Sequence, residues 1–105
     1  MMQVTQETRE DWRVAAIRGR IDSETADDLE DQLRQVIAEN ARVAVDFRGV
    51  DYISSAGLRA IIQAARAAQG RNAEFVVCQL SAPVKKVFDM SGMGQILKVQ
   101  GELPC

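Results

Sequence analysis

The spacing of apolar residues changes several times along this chain, and each change marks a predicted element. From Val4 to Glu7 and from Trp12 to Ile21 the pattern is that of strands, with Val14, Ala16 and Ile17 supplying apolar and β-branched character. The polar stretch Thr8-Arg9-Glu10-Asp11 joins them, so the fold is expected to open with a hairpin. At Ser23 the period shifts to three and four: Ala26, Leu29, Leu33, Val36 and Ile37 fall on one helical stripe, which ends near Asn40. Asp22, Ser23 and Thr25 are the N-cap candidates, because each offers an oxygen to the unpaired amides of a first turn. Asp22, Glu24, Asp27 and Asp28 crowd that end, as the helix dipole favours, and Glu30 stands four residues before Arg34.

Ala41 to Phe47 reads as a buried strand through Val43 and Val45, and Arg48 to Ile53 as a loop. Ser54 to Gln69 is helical, with Leu58, Ile61, Ile62 and Ala65 inward, Arg59, Gln63 and Arg66 outward, and Gly70 closing it. Phe75 to Cys78 is the next buried strand. Ser81 then caps a short helix with Pro83 in its first turn, which turns Val84, Val87 and Phe88 inward and stops at Ser91-Gly92. Ile96 to Val99 is the last strand, and Gln100 to Cys105 shows no period. The order ββαβαβαβ predicts one α/β domain over residues 1–105, with a mixed sheet of about five strands and three helices mostly on one face. Right-handed crossovers carry the loops before the helices toward the carboxyl ends of the strands.

Composition narrows the function. A chain of 105 residues supports one core, and thirteen basic against fifteen acidic residues leave no broad positive field for nucleic acid. Met1 to Glu10 is polar and no run approaches the ~20 apolar residues of a membrane span, so a cytoplasmic location without membrane contact is expected. Cys78 sits in an apolar run and Cys105 is the last residue, which fits a buried thiol and a loose one in a reducing compartment. There is no histidine, which removes the usual general base, the common nucleophile pairs and most zinc sites. No enzymatic activity, metal or cofactor is therefore expected.

Candidate chemistry concentrates in Asp46-Phe47-Arg48-Gly49-Val50-Asp51-Tyr52-Ile53-Ser54-Ser55-Ala56-Gly57-Leu58-Arg59. A strand, a connection and a helix meet there at two consecutive hydroxyls, beside helix-start amides that lack internal partners. A phosphate on Ser55 would gain from those donors and the dipole while adding about −1.5 to −2 charges to the surface. On residue chemistry alone, plain N-capping by Ser54 or Ser55 is the favoured account of the hydroxyls.

The run Tyr52-Ile53-Ser54-Ser55-Ala56-Gly57-Leu58-Arg59 resembles the signature of STAS-domain anti-sigma factor antagonists, proteins that free a sigma factor by binding its anti-sigma kinase. Gly19-Arg20-Ile21-Asp22, Val45-Asp46-Phe47 and Val84 to Met93 fall at matching places, so the resemblance covers nearly the whole chain. It implies that Ser55 is the phosphorylated serine, with Ser54 as second choice, and that Asp22 is the acid beside it. The partner surface it implies comprises Asp22, Ser54, Ala56, Gly57, Leu58, Arg59, Met90, Ser91, Gly92 and Met93. Gly57 fits a helix that approaches its partner closely, since no side chain intervenes.

The partners implied are an anti-sigma factor with serine kinase activity, of the histidine-kinase-like ATPase fold, and a metal-dependent serine phosphatase. The unmodified chain would bind the kinase and release its target, phosphorylation of Ser55 would block binding, and the phosphatase would restore it. Members usually carry a fourth helix after the last strand, where this chain has only Gly101 to Cys105. Apolar surface near Met93 and Ile96 is then expected to be exposed, favouring weak self-association of an otherwise monomeric protein or a partner contact. Arg59, four residues beyond Ser55, is either a phosphate partner or a solvated arginine. Lys85 and Lys86 read as a solvated face and Trp12 as a core or sheet-edge residue. One rival is a STAS scaffold never phosphorylated; another is a serine nucleophile, opposed by the missing histidine and the absence of a G-x-S-x-G elbow.

Overall fold

The structure, a computed structural model, describes residues 2–95 and 97–103. Strand β1 (Met2–Arg9) pairs antiparallel with β2 (Trp12–Ile21), and β3 (Arg42–Ile53), β4 (Glu74–Cys78) and β5 (Lys98–Gln100) follow in parallel. The five-stranded sheet keeps the chain order β1-β2-β3-β4-β5. Helices α1 (Ala26–Glu39), α2 (Ser55–Gly70) and α3 (Ala82–Ser91) connect the parallel strands, and a short 3-10 turn spans Met93–Gln95. This is the mixed sheet expected of the sequence.

The helices share one face of the sheet. Leu29, Leu33, Val36 and Ile37 of α1, Leu58, Ile61, Ala64 and Ala68 of α2, and Val84 and Phe88 of α3 form one core with Ile17, Val43, Val45 and Phe47. Phe47 and Phe88 meet edge to face, ring centroids 5.7 Å apart, which fixes α3 against β3. Among the described residues, the opposite face buries Val14, Ala44, Val76 and Cys78, flanked by Trp12 and Leu103. Burial pushes the Cys78 thiol up to about 11, helped by the neighbouring Asp46 carboxylate. Trp12 also carries the Arg42 guanidinium, 5.6 Å from its ring centroid, in keeping with a sheet-edge role.

Several expectations are corrected. Arg48 to Ile53 is strand, continuous with β3. Its burial repeats every third residue, at Phe47, Val50 and Ile53, because the β2–β3 pairing shifts register twice, between Ala16 and Arg18 and between Gly19 and Arg20. Those shifts are bulges, and bulges erase the two-residue alternation by which a strand is recognised. Of the three N-cap candidates of α1, Thr25 holds the position, though without a side-chain cap bond, and the helix begins at Ala26. The buried stripe of α2 runs through Gly57, Ala60, Ala64 and Ala68, so Ile62 and Ala65 are only half-buried. Ser81 holds the N-cap position of α3, but its hydroxyl donates to the Val50 carbonyl of β3 at 2.8 Å. The last strand is shifted to Lys98–Gln100, and Ile96 lies outside the described residues. Met93 is 2% exposed, so it does not itself contribute the exposed apolar surface expected there. The exposed large apolar side chains among the described residues are Tyr52, Met90 and Val99.

Candidate functional site

Strands β2 and β3 end side by side at Ile21 and Ile53, and the Ser54 amide donates to the Ile21 carbonyl at 2.9 Å. That bond brings Asp22, the residue leaving β2, next to Ser54. Ser54 has an extended backbone and its Oγ accepts the Gly57 amide at 3.3 Å, the geometry of an N-cap. Its carbonyl accepts the Leu58 amide at 2.9 Å, so half-buried Ser54 is committed to starting the helix. Ser55, the first helical residue, is exposed and its hydroxyl has no partner among the described residues. The capping reading thus belongs to Ser54 and leaves Ser55 the accessible hydroxyl.

Asp22 is held by its own turn. Its Oδ1 accepts the Glu24 amide at 3.0 Å and the Thr25 amide at 3.3 Å, while Thr25 Oγ1 accepts the Asp22 amide at 3.0 Å. The Glu24 amide bond is the main cause that holds the carboxyl below its ordinary 3.8; partial burial opposes it, and the Thr25 amide, the Thr25 hydroxyl and Arg20 assist. A depressed folded-state pKa contributes stability that is complete above 3.8 and lost as pH falls through the lowered value. Asp22→Asn is therefore expected to be less stable than the parent at neutral pH, with the two converging on acidification through that range. Denaturant melts at several pH values check this, and a pH-independent difference contradicts it.

Gly57 faces the sheet. A Cβ there would lie 2.6 Å from Ile21 Cγ2 and 2.8 Å from Ile53 Cγ1, so the glycine lets α2 settle on the strand ends. Leu58, 9% exposed, and Met93 are likewise turned inward and support the surface from beneath. Of the residues singled out in the sequence, Asp22, Ser54, Ser55, Ala56 and Arg59 reach solvent at this end of the sheet. Met90 is 79% exposed, and Ser91 donates from Oγ to the Val87 carbonyl at 2.8 Å, at the C-terminal end of α3. Gly92, with φ of 73°, is the left-handed residue that stops that helix. Lys85 pairs with Asp89 at 3.1 Å on the outer face.

The sequence did not reveal how Arg20 and Tyr52 meet. The bulge after Gly19 brings them into register, and the guanidinium lies 4.3 Å from the ring centroid, with Nε 3.8 Å from Asp22 Oδ2. Gly19 adopts φ of 101°, a region glycine enters without strain. Two surface hollows, of about 510 and 520 Å³, lie elsewhere, one along α2, Phe75 and Leu97 and one between Thr5, Asp46 and Arg48. At the serine site itself Ser55 and Arg59 are exposed, with Asp22, Ser54 and Ala56 half-buried around them.

A family model described as Mlab, STAS domain matches residues 4–100. The chain belongs to the STAS family. BtrV of Bordetella bronchiseptica, whose name designates it provisionally as an anti-sigma factor antagonist, is 35% identical over 99 residues, 93% of this chain and 85% of that protein. An anti-sigma factor antagonist from Mycobacterium paratuberculosis superposes with a TM-score of 0.84 at 21% identity, covering 98% of this chain and 88% of that one. The Bacillus cell fate determinant SpoIIAA in its phosphorylated form gives 0.69 at 16% identity, covering 95% and 93%. These solved structures share the STAS fold of this chain. Among the described residues no helix is long and apolar enough to cross a membrane.

Proposed function

We propose that this STAS protein is an anti-sigma factor antagonist whose docking surface is switched by phosphorylation of Ser55. The unmodified chain binds an anti-sigma factor that is also a serine kinase of the histidine-kinase-like ATPase fold, and binding releases the kinase's target. The kinase then transfers the γ-phosphoryl group of ATP to Ser55 Oγ: the oxygen–phosphorus bond forms, ADP leaves, and the hydroxyl proton is taken up by a base on the kinase. A metal-dependent serine phosphatase hydrolyses the ester and returns the chain to its binding form. The STAS chain contributes position and charge, and the chemistry resides in the two enzymes.

The observation that carries this reading is the division of labour between the two serines: Ser54 spends its hydroxyl on the helix cap, whereas Ser55 is exposed and has no partner among the described residues. The antagonist name borne by BtrV, at 35% identity, supports the partner class. Ala56, Arg59 and the exposed Met90 supply the remainder of the docking surface, above the buried Gly57, Leu58 and Met93.

Incubation with the cognate kinase and ATP, read by intact mass, is the test. One phosphoryl group is expected on the parent and on Ser54→Ala, and none on Ser55→Ala. Phosphorylation of Ser55→Ala at the parent's rate would move the switch to another residue. A stable complex whose Ser55 stays unmodified in the presence of ATP would make the chain an interaction scaffold instead.

A further inference from the structure

Arg20 is the cation nearest in register to the serine site that comes from outside α2, and three features aim it. The register shift between Gly19 and Arg20 inserts an extra residue of β3 opposite β2, which turns Arg20 and Tyr52 to one side. Tyr52, 42% exposed, then supports the guanidinium from beneath at 4.3 Å. Asp22 holds it from the front, at a 3.8 Å separation too long for a hydrogen bond. A guanidinium has five donors in a planar fork, and neither contact uses them well.

We propose that Arg20 is the anion-binding residue of the switch: when Ser55 carries a phosphate, the guanidinium leaves its long contact with Asp22 and takes the phosphate oxygens. This rests on the reading of Ser55 as the modified residue and adds what the chain itself does with the charge. A phosphate at Ser55 would otherwise face the carboxylate of Asp22, in a turn that also carries Glu24, with Arg59 on α2 as the other nearby cation. Arg20 lies two residues before Asp22 on the strand whose end bonds Ser54, and its long side chain already reaches the Asp22 carboxylate. A charge-assisted, bidentate contact to phosphate is stronger than the ion pair it replaces. The exchange keeps the modified serine local and uncovers the face of Tyr52, so phosphorylation alters the docking surface at two points.

The experiment installs phosphoserine at position 55 during translation, which bypasses the kinase, and follows the phosphate by phosphorus NMR across pH. In the parent the second phosphate ionisation, ordinarily near pH ~6, should be depressed; Arg20→Ala should raise it by about half a unit, Arg20→Lys by less, and Arg59→Ala by less than Arg20→Ala. The Tyr52 ring signals should shift when the phosphate is added to the parent and stay in place in Arg20→Ala. An Arg20→Ala titration that overlays the parent's, or a larger effect from Arg59→Ala, overturns the proposal. Failure of the kinase to modify Ser55 would sink the functional reading while leaving this titration unaffected, so the two outcomes are distinguishable.

Discussion

Ser55→Asp is expected to bind the anti-sigma kinase at least about tenfold more weakly than the parent, and the Ser55-phosphorylated chain about a hundredfold more weakly. The magnitude follows from charge at contact distance. Two unit charges 4 Å apart interact by about 4 kcal/mol at an effective dielectric near 20, and salt and solvent screening on an exposed surface reduce that to about 1–3 kcal/mol. Each 1.4 kcal/mol is about tenfold in affinity, and the phosphate carries nearly twice the charge of aspartate. Ser55 stands exposed at the N-terminal end of α2, and its hydroxyl has no partner among the described residues, so the added charge lies at the contact itself. Calorimetry with the kinase loaded with ADP, which cannot phosphorylate, measures both. The loss should shrink at high salt, and a Ser55→Asp chain bound as tightly as the parent contradicts the electrostatic switch. Ser54→Asp is the useful contrast, since aspartate is as good a cap as serine and leaves the helix start intact.

Gly57→Ala and Gly70→Ala are expected to move stability in opposite directions, although both exchange a glycine for an alanine within α2. A Cβ at Gly70 would have no atom within 4 Å, so its alanine brings only higher helix propensity and should stabilise by about 0.5–1 kcal/mol. At Gly57 the same methyl would sit 2.6 Å from Ile21 Cγ2 and 2.8 Å from Ile53 Cγ1. Both isoleucines are buried, at 0% and 3% exposure, and cannot swing aside. Relief requires the start of α2 to lift from the strand ends, at a net cost of about 2 kcal/mol, or about 10 °C in Tm for a domain this size. The lift strains the Ser54–Ile21 bond as well, so kinase affinity should fall together with stability. Thermal and denaturant melts of the two variants decide it; two alanines that behave alike would mean that α2 does not rest on Gly57.

Much of this architecture is legible in the chain itself. The stripe from Ala26 to Ile37 is strictly helical in period, and all five residues are buried. Val43, Val45 and Val76 to Cys78 lie in central parallel strands, which are covered on both faces and so appear as continuous apolar runs. The Ser54-Ser55 pair announces a helix start from residue chemistry, since small hydroxyl residues followed by a three-four apolar period have few other uses.

Other features depend on the sheet being assembled. Whether Arg48 to Ile53 is loop or strand turns on two bulges against β2, and a bulge is a property of a pair of strands. Which side of Gly57 is crowded depends on Ile21, a strand residue separated from it by the whole of α1 and β3, as well as on the nearby Ile53. The pairing of Arg20 with Tyr52 arises the same way, between two strands separated by the whole of α1 and brought together by one register shift. Local periodicity and capping chemistry are written in neighbouring residues, so the sequence alone determined the elements, their order and the serine-bearing helix start. Register and burial are relations between segments far apart along the chain, so only the tertiary structure decided which serine hydroxyl is accessible and which side chains surround it.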